Sequence, residues 1–253
     1  MPQTSSCGAD NILPEMAEGV SADSALVGHA IVAAFNEADR IADTVAGLQR
    51  AFPGVVVVVA DDGSEDQTAS VAEAAGAVVV RSERNIGKGG AASLAAARVL
   101  EDGAPSAGAV VLLADADLAR SAERLAPLAE AVANGSADLT VASFAKRVGG
   151  GFGLALGFAH WAIERRCGFD ATAPISGQRA LSYAALEKVT PFRDGFGMEI
   201  GMTVDAVRAR LNVREVELDL SHRATGKTLA GFAHRGRQLK DFVRVYRALG
   251  KTR

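Results

Sequence analysis

Two aliphatic runs, VVVVVA at Val55–Ala60 and AVVLLA at Ala109–Ala114, put apolar side chains on both sides of an extended chain. Such a strand needs both faces covered, which is the situation of a strand inside a parallel sheet flanked by helices. The neighbouring segments follow the same logic. Short apolar runs at Ala30–Phe35, Val55–Ala60, Ala77–Val80, Ala109–Leu113 and Leu139–Ser143 alternate with helical periodicity at Arg40–Phe52, Gln67–Ala75, Gly90–Leu100 and Ala122–Ala133. This alternation predicts an α/β fold with a mostly parallel sheet and helices on both faces. Ligands of such sheets bind at the carboxyl ends of the strands. The polar clusters fall there: FNE after the first run, DDGSED after the second, RNIGKGG after the third and DAD after the fourth.

Each cluster has a chemistry and a plainer alternative. A core strand cannot keep Asp115 and Asp117 dry and unpaired, so both belong where the strand ends and something cationic meets them. Asp-Ala-Asp in that place points to a divalent ion held against phosphates, with a solvated turn as the alternative. In DDGSEDQT, Gly63 permits a tight turn and Ser64 or Asp66 caps the next helix. Capping leaves Asp62 unexplained, and a carboxylate there can accept the N3–H of a uracil or the N–H donors of a guanine. NIGKGGA is not a Walker loop, because Ser82 stands where the first glycine belongs and Gly89 follows the lysine. Its glycines allow close approach to a ligand at a helix start, with Lys88 adding positive charge.

The chain of 253 residues, 49% hydrophobic and 23% charged, can bury a full core. No apolar run approaches the ~20 residues of a membrane span, and MPQTSSCGADNILPEM has neither the basic start nor the apolar centre of a signal peptide. The expected location is the cytoplasm. Cys7 and Cys167 form no framework and no metal spacing. Residues 1–26 read as a flexible leader. The glycine-rich GGGFGLALGFAHWAI suits a flexible or interfacial element. After it come SGQRAL, a helix-like LSYAALEKV, a turn TPFRDGFG, a helical MEIGMTVDAVRAR and a strand-like VREVELDL. From Ser221 to Arg253 nine Lys and Arg face one acid, Asp241, while the rest of the chain carries 18 bases and 29 acids. Phe232, Leu239, Phe242, Val243, Tyr246 and Leu249 recur there at helical spacing, so 229–253 reads as a basic amphipathic helix for an anionic membrane surface, for phosphates or for the protein's own acidic body.

Taken in order, AAFNEADRI, VVADDGSEDQT, NIGKGGA and ADADLA resemble the family-2 glycosyltransferases of GT-A fold, over roughly Gly28 to Ser143. APISGQRALSYAALEKVTPFRDGFGMEIGMTVDA followed by LSHRATG resembles the glucosyl-3-phosphoglycerate synthases and, less closely, the dolichyl-phosphate sugar synthases. The resemblance implies a GT-A domain over 27–228, with a nucleotide-sugar half at 27–143 and an acceptor half at 144–228. It implies that Ala34, Phe35 and Glu37 line the nucleotide site, with Asp62 at the base, Lys88 nearby and Asp115 at the ribose and diphosphate. Asp117 and His222 would hold Mg²⁺ or Mn²⁺. Gly177 would lie in the sugar or acceptor pocket, and Glu199 would face the reacting centre.

The implied activity is metal-dependent transfer of a hexose from a nucleoside-diphosphate sugar, UDP-glucose or a similar donor, to a hydroxyl or phosphate acceptor. Asp117 and Glu199 are its catalytic candidates, the latter as base if the product is inverted and as a substrate-positioning residue if configuration is retained. Phosphoglycerate-using relatives follow their glycine triplet with arginine and threonine, whereas Gly149–Gly151 precede Phe152-Gly153-Leu154, an apolar setting that does not suit a doubly charged acid. The alternatives are a polyprenyl-phosphate sugar synthase at the membrane surface, a sugar nucleotidyltransferase and a non-catalytic nucleotide-sugar-binding protein. Peripheral membrane contact through the C-terminal helix is a further expectation, at the inner face of the membrane. No nucleic-acid partner is expected, and a homodimer is left open.

Overall fold

The computed structural model of the protein describes residues 26–144, 153–194, 197–218 and 250. The leader up to 25, the glycine triplet, His222 and the basic segment therefore lie outside the described residues. The elements run β1 (Val27–Ala34), α1 (Ile41–Ala51), β2 (Val56–Asp61), α2 (Thr68–Ala74), β3 (Val78–Arg81), α3 (Lys88–Asp102) and β4 (Val110–Asp115). A 3₁₀ segment at Ala119–Leu125 follows, then α4 (Ala126–Ala133), β5 (Leu139–Phe144), α5 (Gly153–Cys167), β6 (Arg179–Ser182), α6 (Tyr183–Val189), α7 (Met198–Arg208) and β7 (Val213–Leu218).

The strands form one seven-stranded sheet in the order β3-β2-β1-β4-β6-β5-β7. All neighbours are parallel except at β6, which is antiparallel to β4 and to β5. The aliphatic runs explain the double burial: Val57 and Val59 enter one core layer, and Val58 and Ala60 enter the other. One layer receives Ile41, Val45 and Leu48, the i, i+4, i+7 stripe of α1, together with Leu128, Ala129 and Val132 of α4. The other receives Ala91, Ala92, Ala95, Ala96 and Val99, a small-residue face that lets α3 lie close to the sheet, together with Met198 and Met202 of α7. A third cluster joins Ala159 and Ile163 of α5 to Ile200 and Val204 of α7.

Two local expectations change. Leu181 and Ser182, read as the start of a helix, end strand β6, and Ser182 then caps α6 by accepting from the Ala185 amide at 3.1 Å. The GGGFGLALGFAHWAI stretch, read as flexible or interfacial, contains the start of a regular 15-residue helix whose buried stripe packs on α7. The sheet runs on past residue 143, because β5 pairs with both β6 and β7. Being antiparallel, β6 begins where its neighbours finish, so the turn leading into it opens on the carboxyl edge of the sheet.

Candidate active site

At that edge, the ends of β1 and β2 brace each other. Asn36 adopts a left-handed conformation, φ 55°, which asparagine tolerates better than most residues. Its amide donates to Ser64 Oγ at 2.9 Å, and its Oδ1 accepts from the Glu65 amide at 2.9 Å. The Glu37 amide donates to Thr68 Oγ1 at 2.8 Å, and Asp66 accepts from the Ala38 and Thr68 amides. DDGSEDQT is thus both a turn and a clamp on FNE. Ala34 is buried, with its carbonyl taken by the Asp62 amide at 2.9 Å, whereas Phe35 stands 43% exposed on the rim.

Asp62 is only 5% exposed, and its carboxylate accepts from the amides of Ile86, at 2.7 Å, and Gly87, at 2.9 and 3.0 Å. It stands at the amino end of α3, satisfying amides that would otherwise be orphaned there. Burial raises its carboxyl above the ordinary range, the two amides lower it, and Asp61 raises it further. The glycines of NIGKGG also prove to serve contact with the chain itself. A Cβ on Gly89 would lie 1.8 Å from the Arg193 carbonyl oxygen, so the first turn of α3 can meet the 190–194 segment only through glycine.

That close approach sets Lys88. Its Nζ lies 2.7 Å from Asp115 Oδ1 at the end of β4 and 2.7 Å from Glu199 Oε1 in the first turn of α7. Burial alone would lower the lysine's pKa, but the two carboxylates outweigh it and hold the ammonium above its ordinary value. It is charged throughout the physiological range. Asp115 Oδ2 accepts from Gln178 Nε2 at 2.9 Å. A Cβ on Gly177 would lie 2.5 Å from that same oxygen, so glycine is required beside the carboxylate. Lys88, Gly177 and Met198 line a narrow cleft with Ala33 and Ala114.

Asp117, two residues beyond Asp115, is exposed. Glu37 faces the same space: burial raises its carboxyl above the ordinary range, Arg40 opposes this, and the charges of Asp117, Asp66 and Asp115 raise it further. Negative potential therefore accumulates on the open side of the site, as a divalent cation would require. Among the described residues no three His, Cys, Asp or Glu form a ready metal cluster. Glu199 is 5% exposed, and its carbonyl accepts from Thr203 Oγ1 at 3.1 Å.

The structure thus brings Ala34, Phe35, Glu37, Asp62, Lys88, Asp115, Asp117, Gly177 and Glu199 to one edge, and His222 lies outside the described residues. Sequence reasoning missed Asn36, Thr68, Gln178 and Arg179. Asn36 carried a signal, as an asparagine directly after a strand. The others carried none short of the fold.

A mostly parallel α/β sheet with one antiparallel strand, and with acids and a lysine at its carboxyl edge, is suited to holding a phosphorylated ligand and a divalent ion there. The family model for glycosyl transferase family 2 matches residues 29–188, and the chain belongs to that family. Among solved structures, the glucosyl-3-phosphoglycerate synthase of Mycobacterium tuberculosis in complex with phosphoglyceric acid is 24% identical with a TM-score of 0.66, covering 87% of this chain and 79% of the other. The same synthase in complex with Mn²⁺ and UDP-glucose is 23% identical with a TM-score of 0.66 and the same coverage. A further mycobacterial protein is 25% identical with a TM-score of 0.66, covering 86% of this chain and 73% of its own. These likenesses establish the fold. No curated protein matches the chain.

Proposed function

We propose that the protein transfers a hexose from a UDP-sugar, UDP-glucose or a close analogue, to a hydroxyl or phosphate acceptor. The carrying observation is Lys88 Nζ at 2.7 Å from both Asp115 and Glu199, with Gly177 set against the Asp115 carboxylate. Solved relatives of the same fold bind Mn²⁺ with UDP-glucose, and Mg²⁺ with UDP, which supports this donor class.

In this reading Phe35 walls the uracil, Asp62 accepts the base N3–H on capacity left by the Ile86 and Gly87 amides, and Ala34 and Glu37 complete the nucleotide wall. Asp115 meets the ribose and diphosphate. Asp117 and His222 would hold one Mg²⁺ or Mn²⁺, which when bound would supply Lewis acidity for the leaving diphosphate. Lys88 adds a fixed positive charge where negative charge develops. Gly177 and Glu199 border the sugar. Lys88 engages Oε1 of Glu199, leaving Oε2 to take the proton of the attacking hydroxyl in an inverting transfer. The 27–228 segment is the transferase domain in this reading, and the basic segment 229–253, all but residue 250 of which lies outside the described residues, is offered to a membrane or to the protein's own body. Among the described residues no helix is long and apolar enough to cross a membrane.

UDP release from a panel of UDP-sugars, with Mn²⁺ and with or without candidate acceptors, tests the reading. Faster release with UDP-glucose than with the other donors supports it. Absence of release from every donor overturns it.

A further inference from the structure

Arg179, the first residue of β6, is the largest fully buried side chain among the described residues, at 1% exposure. A guanidinium out of water is costly unless its partners are strong, and an apolar side chain of similar size would fill the same space more cheaply. Its partners are nevertheless a carbonyl and a hydroxyl rather than a carboxylate. Nε donates to the Ser176 carbonyl at 3.0 Å, and Nη1 donates to Thr203 Oγ1 at 3.0 Å. Nη2 and the buried Ser176 Oγ have no hydrogen-bond partner among the described residues.

Both contacts lead to the site. Ser176 precedes Gly177 and Gln178, the residues that abut Asp115 and hydrogen-bond to it. Thr203 passes its own hydrogen to the carbonyl of Glu199, one helical turn earlier. Burial holds the guanidinium down at about 10, and the charges of Glu199 and Glu215 oppose that shift. It is therefore charged at neutral pH and couples to Glu199 electrostatically without touching its carboxylate.

Building on the transfer activity proposed above, we infer that Arg179 is a positioning residue, a buried brace that fixes the turn carrying Gly177–Gln178 relative to the helix carrying Glu199. The spacing it sets lets one Lys88 ammonium reach Asp115 and Glu199 at once. Its positive charge also offsets the second of those carboxylates from below. A fork with donors aimed in two directions does this, whereas a lysine's single point charge reaches only one partner well.

The test uses the full chain with Arg179→Met, Arg179→Lys and Thr203→Val, the last removing one end of the brace while the guanidinium stays. Hydrogen exchange by mass spectrometry is read at 173–178 and 198–203, alongside Mn²⁺–UDP affinity by calorimetry and the kcat and KM of UDP release. Exchange at both segments should accelerate together in each folded variant, with α1 and α2 unchanged. The kcat should fall on the order of 100-fold in Arg179→Met, because a small misplacement of reacting groups has effects of that size, while UDP affinity changes less than about threefold. Arg179→Lys should recover only part of the loss. Should Arg179→Met fail to fold, the other two variants decide the matter by the same readouts. Acceleration in one segment alone, or turnover falling only with the folded fraction, overturns the brace. If the wild type releases no UDP from any donor, the activity reading fails while the exchange result still decides the brace.

Discussion

Gly177 meets the Asp115 carboxylate so closely that a single methyl group on its Cα would lie 2.5 Å from Oδ2 and 2.7 Å from Oδ1. The contact joins the end of β4 to the turn before β6, and it leaves no room for a Cβ at 177 while the Asp115 carboxylate stays in place. Gly177→Ala must therefore displace Asp115 from Lys88 and Gln178. Overpacking of this kind costs about 1–3 kcal/mol, so the protein should remain folded while UDP release falls at least tenfold. A denaturant midpoint measured beside turnover separates the two effects, and unchanged turnover contradicts the role given to this contact.

Replacing Lys88 by Met leaves Asp115 and Glu199 facing one site without the ammonium that joins them. Removal of one preorganised charge at a developing oxyanion costs on the order of 100-fold or more in kcat. The loss should appear in steady-state UDP release, together with weaker UDP binding. Full activity in Lys88→Met rules out the proposed diphosphate contact.

Asp117→Ala should abolish metal-dependent UDP binding and leave stability within about 0.5 kcal/mol, because an exposed strand-end carboxylate supports little of the core. Calorimetric Mn²⁺ titration in the presence of UDP measures the first, and urea unfolding the second. Retained metal-dependent binding rejects Asp117 as the ligand.

His222→Ala should weaken Mn²⁺ binding and flatten its pH dependence between roughly 5.5 and 7.5, since a histidine ligand must be neutral while aspartates stay ionised. Identical affinities and slopes in the two proteins would remove His222 from the metal site.

The opposite end of the sheet carries its own titration. His29 Nδ1 lies 2.6 Å from the Tyr183 hydroxyl, and Nε2 lies 3.7 Å from Asp102. Burial lowers the His29 pKa, Asp102 opposes the shift, and Arg98 adds to it. The folded protein therefore keeps this ring neutral at pH values where the unfolded chain, titrating near about 6.5, takes up a proton. Stability from His29 is complete above that value and is lost as pH falls toward the lower folded pKa, with a slope of at most about 1.4 kcal/mol per pH unit. Urea midpoints from pH 7.5 downward should fall more steeply for the wild type than for His29→Gln.

Most of this architecture was legible because each parallel strand is a doubly apolar run followed by a polar cluster, as in Val56–Asp61 with its DDGSED. β6 was not, since Arg179–Ser182 is four residues long and continues directly into a helix. Its charged first residue also argued against burial. The cost of desolvating carboxylates placed Asp115 and Asp117 past the apolar part of β4, where Asp115 meets Lys88 and Asp117 is exposed. The pairing of Lys88 with Glu199 spans 111 positions and depends on Gly89 fitting against the Arg193 carbonyl, a steric fact with no periodic signature. Asp62 was read as a carboxylate for the base of a nucleotide, and the amides of Ile86 and Gly87 that it accepts from could not be foreseen, because backbone donors look alike in every sequence.

The single antiparallel strand has a consequence for how such an enzyme can change. β5 finishes at the edge where β6 starts, so the chain between Phe144 and Arg179, α5 included, departs and returns at one rim of the sheet. That excursion is a cassette held by both ends beside the reacting groups. Apart from the buried stripe of α5 and the Ser176–Gln178 turn, its length can change at small entropic cost without altering the register of any strand pair. In the proposed transferase, descendants of one scaffold would vary those remaining parts while the strand-end clusters and the turn are inherited intact.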